Sequence, residues 1–236
     1  MANPTGGGEA SIPKTHWLRN ELSQQVANYA TYFRRRVENP SFQATPGDRL
    51  IGRYTATNTQ WEAWLQPYMT PFGDKSTIAL DIGANIGTHT RHLADLFGSV
   101  YAFEPSSNTR EILAANMEGY SNVIIRGEAI GDTTGTARLA VETRNRGASH
   151  ITDKESGELV DLIRLDDLTF PARVSFMKVD VEGFEKQVFR GAADLIRSDR
   201  PVIAYEDYED TTKLIKSFGY RTHRVGWSDY IGIPQC

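Results

Sequence analysis

Apolar residues recur at three- and four-residue steps between Trp17 and Val37, with Leu18, Leu22, Val26, Tyr29 and Phe33 on one side. That spacing predicts an amphipathic helix. "NPSFQATPGDR" breaks the period with two prolines and a glycine, and a second short helix is predicted over Thr59 to Met69, ended by "TPFGD". From Ser76 onward short apolar runs alternate with helical periods. "TIALDIG" is apolar on both faces at its centre and predicts a strand buried on both sides. "THTRHLADLF" predicts a helix, "SVYAFEP" a strand stopped by Pro105, and "NTREILAANMEGY" a helix capped by Ser106 or Ser107. "NVIIRGEAI" follows as a third strand, and "GDTTGTARLAV" as an inserted hairpin. "LVDLIRL" alternates and runs into "DDL", whose Asp166 and Asp167 are expected to cap a helix before the strand "RVSFMKVDVEG". The remainder reads strand "RVSFMKVDVEG", helix "FEKQVFRGAADLI", strand "RPVIAYED", helix "DTTKLIKSFG" and strand "YRTHRV". Strand and helix alternating at this spacing imply a parallel sheet with helices on both faces.

This organisation predicts a flexible tail over 1–13, a helical cap over 14–72 and the main domain over 73–236. Composition changes the picture only by exclusion. With 39% hydrophobic and 24% charged residues the chain is ordinary for a globular protein. Nothing approaches the about 18 consecutive apolar residues of a membrane span. The first residues, "MANPTGGGEASIPKT", carry no apolar leader, and the one cysteine, Cys236, cannot form an internal disulfide. A cytoplasmic location is expected from these features. A net charge of −4 argues against a broad nucleic-acid footprint, and "RRR" at 34–36 reads as a solvated helix face.

The chemistry starts at "ALDIGANIGTHT", residues 79–90. In open parallel sheets ligands sit past the carboxyl ends of the strands, where this turn lies. A dinucleotide fingerprint would need G-x-G-x-x-G, but Asn85 and Thr88 stand at its second and third glycine positions. The turn opens with a carboxylate, Asp81, which suits a cationic or hydroxyl-bearing ligand. Glu104 ends the next strand, 21 residues after Gly83, the spacing at which an acid accepts ribose hydroxyls. A ribose without a phosphate, together with a cationic portion, describes S-adenosylmethionine.

"DIGANIGTHT", "VYAFEPSSNTREILAAN", "GEAIGDTTGTARL", "IRLDDL", "MKVDVEGFEKQVFRGA" and "RPVIAYE" together resemble the FkbM-type methyltransferases, class I enzymes that use S-adenosylmethionine. The resemblance runs over about residues 50–225. It implies a Rossmann-like α/β three-layer sandwich with a mostly parallel seven-stranded sheet and one antiparallel strand near its end. It implies that Gly83, Ala84, Asn85 and Gly87 line the methionine portion of the cofactor. Glu104 would hold the ribose, with Pro105 shaping the turn and Asn108 nearby. Glu128 and Ala129 would border the adenine, and Asp81 would meet the amino group directly or through water.

Methyl transfer to an alcohol requires alignment of the acceptor and removal of its proton. "MKVDVEGFE" places Asp180 and Glu182 at a strand end, two residues apart and so on one face. His150 in a polar loop and Glu206 on the neighbouring strand are further candidates to act on the acceptor. "DVEGFE" and "YEDYED" could offer oxygens to a divalent metal, but no spacing matches a recognised metal signature and none is favoured. His89, His92 and Cys236 form no metal set, and Trp61 and Trp64 read as packing of the cap. The leading expectation is an O-methyltransferase acting on a small or medium hydroxylated acceptor, a sugar or secondary metabolite. The alternatives are an N-methyltransferase, an RNA 2′-hydroxyl methyltransferase, and a non-catalytic S-adenosylmethionine-binding module. Acceptor specificity is expected to reside in the N-terminal cap.

Overall fold

A computed structural model describes residues 42–44, 62, 65–140, 149–152, 156–208 and 210–235. The predicted 17–37 helix, the arginines at 34–36, Trp61, Trp64 and nearly all of the proposed tail and cap lie outside these residues. The first α-helix among the described residues is α1 (Gln66–Met69), followed by a 3-10 turn, Thr70–Phe72.

The chain then builds its sheet from the middle outward. β1 (Ile78–Ile82) is buried at every position, its one charged residue, Asp81, included. It pairs in parallel with β2 (Ser99–Phe103) on one side and β8 (Val174–Val179) on the other. β3 (Val123–Arg126) extends the sheet beyond β2, and β9 (Val202–Glu206) extends it beyond β8. β10 (Tyr220–Arg224) and β11 (Asp229–Pro234) complete the order β10-β11-β9-β8-β1-β2-β3. β11 runs antiparallel to both of its neighbours, so it is the reversed strand of an otherwise parallel sheet. The sheet is the Rossmann-like, mostly parallel one that the family resemblance implied, where the alternation alone implied a parallel sheet. Its antiparallel member is the last strand, beyond the reach of the strand pattern read from "YRTHRV".

Helices cover both faces because the strands alternate. Ile78, Leu80 and Ile82 of β1 pack with Val188 and Phe189 of α4 (Glu185–Gly191) and Ile196 of α5 (Ala193–Asp199). On the opposite face Ala102 of β2 packs with Leu113 of α3 (Ser107–Asn116) and with Met117. α2 (Thr88–Leu96) follows the glycine turn, and α6 (Thr211–Ser217) precedes β10.

Three local readings are corrected. "NVIIRGEAI" is not one strand: β3 ends at Arg126, and β4 (Ala129–Ile130) belongs to a second sheet. Gly127 and Glu128 turn the chain between them. "GDTTGTARLAV" is not a closed hairpin but supplies β5 (Gly135–Ala140), which pairs antiparallel with β6 (His150–Thr152) and β7 (Glu158–Ile163). The helix predicted over "FEKQVFRGAADLI" is two helices, breaking at Ala192. Asp166 does cap a helix, but α5, which follows β8: its carboxylate accepts the N–H groups of Asp194 and Leu195. Ser106 occupies the N-cap position of α3 without a side-chain bond to the helix amides.

The second sheet, in the order β4-β7-β5-β6, turns Ala129, Leu139, Val160 and Leu162 inward as a small apolar cluster that includes Phe184. It walls one side of the carboxyl ends of the main strands.

Phe176 at the centre of β8 is fully buried against Phe97, with ring centroids 5.5 Å apart. Phe176→Ala is expected to cost about 3–5 kcal/mol by denaturant unfolding, through a lower midpoint at unchanged slope.

Candidate functional site

The three central strands end at one edge, and their registers decide which side chains meet there. Asp81 on β1 is the register partner of Lys178 on β8, and Lys178 that of Ala204 on β9. Paired residues in neighbouring strands project to the same face, so Asp81 and Lys178 share one. Asp180, two residues beyond Lys178, accepts from its Nζ at 2.9 Å. Glu206, closing β9, is the register partner of Asp229 on β11. Lys178 is buried. Its burial works against its charge, but the carboxylates of Asp180, Asp81 and Glu62 outweigh that and hold its pKa above the ordinary lysine range.

The glycine turn is built against this edge. Gly83 has φ +81°, and a Cβ there would lie 1.8 Å from the carbonyl oxygen of Asp180. The two strand exits approach so closely that only glycine fits. Gly83 and Ala84 both donate their N–H to the Phe103 carbonyl at 3.0 Å. Asn85 also lies at positive φ, 50°, and its N–H donates to Glu104 Oε2 at 2.9 Å. Glu104 Oε1 accepts from Ser106 N at the same distance. Glu104 therefore fastens the turn to the end of β2. Burial pushes its carboxyl up to about 7, against the pull of those two N–H groups.

These parts line a cleft of about 190 Å³ that opens to solvent. It gathers Gly83, Asn85, Glu104, Pro105, Glu128 and Ala129 at one part of its wall, and Asp180, Glu182, His150 and Glu206 elsewhere on it. Four expected cofactor contacts lie off this wall. Asp81 is wholly buried and takes the Thr90 hydroxyl at 2.6 Å. Ala84 packs with Leu113 and Met117 in the core. A Cβ on Gly87 would collide with those same two side chains, so this glycine serves helix packing. Asn108 is exposed in the first turn of α3.

Each cleft acid has its own surroundings. Glu128 forms an ion pair with Arg126, whose hydrogen bonds hold its pKa below the ordinary range. Glu182 sits at φ 53° and accepts from the Tyr208 hydroxyl at 3.3 Å. Burial, then Asp180 and Glu206, push it up to about 7. Glu206 accepts from the Ser228 hydroxyl at 2.9 Å, and burial and Asp180 push it up to about 7.

The sequence reading missed Lys178, Glu62, Asp229 and Glu185. A charged residue inside "FMKVDV" was itself a signal, since an unpaired charge in a buried strand is costly. Glu185 closes the turn after β8 by accepting the N–H groups of Val181 and Gly183. Glu62 has no local signal. It reaches His89 Nε2 at 3.0 Å. This contact has the geometry of an ion pair but not the charges: burial pushes His89 down to about 4 and Glu62 up to about 7. His92 bonds to the Thr70 hydroxyl at 3.2 Å. Although the edge is rich in acids, among the described residues no three His, Cys, Asp or Glu side chains are arranged to hold a metal ion.

Glu62, Glu104, Glu182, Glu206 and Asp229 all have folded pKa values raised to about 7. The folded chain thus holds more protons than the unfolded one between about pH 4 and pH 7, and stability falls as pH rises through that window. His89, lowered to about 4, and His92, also lowered by burial, oppose these five acids. The ligand-free chain is expected to melt roughly 5 °C or more lower at pH 8 than at pH 5.5 in a calorimetric scan. Gly83→Ala is expected to be among the most destabilising single substitutions, at roughly 3 kcal/mol or more, read by the same scan.

The family model described as the methyltransferase FkbM domain matches residues 81–222, more than half of the chain. The hexuronic acid methyltransferase AglP of Haloferax volcanii is 27% identical over 150 residues, which are 60% of this chain and 62% of that protein. Among solved structures, methyltransferase FkbM from Methylobacillus flagellatus superposes with a TM-score of 0.50 at 16% identity. That match covers 90% of this chain and 60% of the other, and supports the fold. The chain thus spans less than two thirds of the length of either relative. With a family match over most of the sheet, and the glycine turn and strand-end acids inside it, the chain belongs to the FkbM methyltransferase family.

Proposed function

We propose that this protein is an S-adenosylmethionine-dependent O-methyltransferase whose acceptor is a sugar hydroxyl. The observation that carries the reading is one cleft lined by Gly83 and Asn85 of the glycine turn, by Glu104, and by Asp180, Glu182 and Glu206. The residues present fit the cofactor. Glu104 keeps lone pairs beyond its two backbone bonds, and Asn85 Oδ1 is buried without a partner among the described residues. S-adenosylmethionine supplies a methyl group already activated on a sulfonium. Glu104 would accept the ribose hydroxyls, Gly83 and Asn85 would line the amino-acid portion, and Glu128, Ala129 and Ile130 would border the base.

The protein's own work is alignment and proton removal. Acids at the ends of β8 and β9 can each accept a hydrogen bond from an acceptor hydroxyl, which orients a polyol. Carboxyls that titrate near neutrality are partly ionised bases at working pH. The AglP relative bears the name of a sugar-acid methyltransferase, which supports a sugar as the acceptor class. Phe103, Ile130, Leu139, Ile151 and Phe184 give the cleft an apolar lining.

Calorimetry is expected to detect S-adenosylhomocysteine binding, with Glu104→Ala weakening it by about tenfold or more. Labelled S-adenosylmethionine with a panel of neutral sugars and uronic acids is expected to give a labelled ether. A chain that binds no cofactor, or methylates no sugar in the panel, would refute the reading.

A further inference from the structure

Glu62 lies outside every motif of the family, yet its side chain lines the cleft. It also borders a smaller adjoining hollow with Lys178, Asp180, Glu206 and Asp229. It therefore stands at the strand-end side of the cleft, away from Glu104 and Pro105. The other acids lining the cleft each carry a donor. Glu104 has two backbone N–H groups, Glu128 has Arg126, Asp180 has Lys178, Glu182 has Tyr208 and Glu206 has Ser228. Asp180 is already engaged by the Lys178 ammonium at 2.9 Å.

Glu62 differs in its partner. Its Oε2 meets a ring nitrogen of His89, Nε2, at 3.0 Å, and among the described residues Oε1 is left for the cleft. His89 is in the first turn of α2, directly after the glycine turn, and is buried. The helix that begins at the cofactor turn thus also fixes the direction of Glu62. The imidazole is neutral at working pH, so it orients the carboxylate without the acidifying effect of a cation. The charges around Glu62 are Asp180, Lys178, Glu206 and Asp229, with His89 behind it; burial first, and then Asp180, push its carboxyl up to about 7.

We propose that Glu62 is the catalytic base for the acceptor hydroxyl and that His89 is its positioning residue. The proposal rests on the methyl-transfer reading above. The acceptor oxygen forms a bond to the methyl carbon while the carbon–sulfur bond breaks and its electron pair returns to sulfur. The hydroxyl proton passes to Glu62 Oε1 and from there to water. The positive charge of the sulfonium leaves as that proton, so the step balances without another reactant.

The test uses the full chain. Glu62→Gln is expected to lower kcat by about 100-fold or more, with S-adenosylhomocysteine affinity within twofold of wild type and acceptor KM within about threefold. Formate is expected to restore at least tenfold of the activity lost in Glu62→Gly. His89→Gln is expected to lose about tenfold in kcat at unchanged acceptor KM and to displace the acidic limb of the kcat–pH profile. In the ligand-free chain, the His89 ring nitrogens observed by NMR are expected to shift near pH 7 as Glu62 titrates, a transition absent from Glu62→Gln. Normal cofactor binding by Glu62→Gln shows that the variant is folded. A wild type that methylates beside a Glu62→Gln of similar kcat overturns this proposal alone, as does a His89 spectrum without the transition near pH 7. A wild type that neither binds cofactor nor methylates overturns the methyl-transfer reading and this proposal together.

Discussion

The structure turns on one buried ammonium. Lys178 lies in the middle strand of the sheet, cross-strand from Asp81 and hydrogen-bonded to Asp180. An unpaired charge there would be prohibitive, and a buried pair is tolerated only when its remaining bonding capacity is met. The pairing sets the ends of β1 and β8 side by side, and Gly83 lets them close to the distance seen. Asp81 is committed to this interior column together with Thr90. This is why an acid expected at the cofactor's amino group lies beneath the turn.

Beyond that pair, acids outnumber cations at the strand ends. Glu62, Glu182, Glu206 and Asp229 are brought close to Asp180 by the convergence of β8, β9 and β11, and Glu104 is held by the turn. Such groups cannot all ionise in a cavity poor in water, so they retain protons to near neutrality. The fold thus keeps a reserve of negative charge that a cation or a set of hydroxyls can draw out. Local instability is the cost of that reserve, as is common where a site is assembled from groups that would not otherwise be buried together.

The sheet was legible because its strands are apolar at both faces and its helices periodic. The β3–β4 split was not, because "GEAI" continues an apolar run while Gly127 and Glu128 change sheets. The reversed last strand carries no signature in "DYIGIP" that distinguishes it from a parallel one. Of the site, Gly83, Asn85, Glu104 and Asp180 could be found because they sit at strand ends in a known order of elements. Gly87 and Ala84 share their motif, but a turn has an inner and an outer side, and the sequence does not say which side packs on α3. Lys178 was visible and passed over beside the more familiar acids. Glu62 was invisible, since its place depends on a tertiary contact with His89, 27 residues away.

The central claim is that protonated carboxyls at the strand ends await a positively charged ligand. The direct test is the number of protons released when S-adenosylmethionine binds, obtained by calorimetry at pH 7 in buffers of different ionisation enthalpy. The account predicts net release of protons at pH 7, shrinking toward zero by pH 9, where the acids are already ionised. Binding with no proton release at pH 7, or with the same release at both pH values, would contradict it.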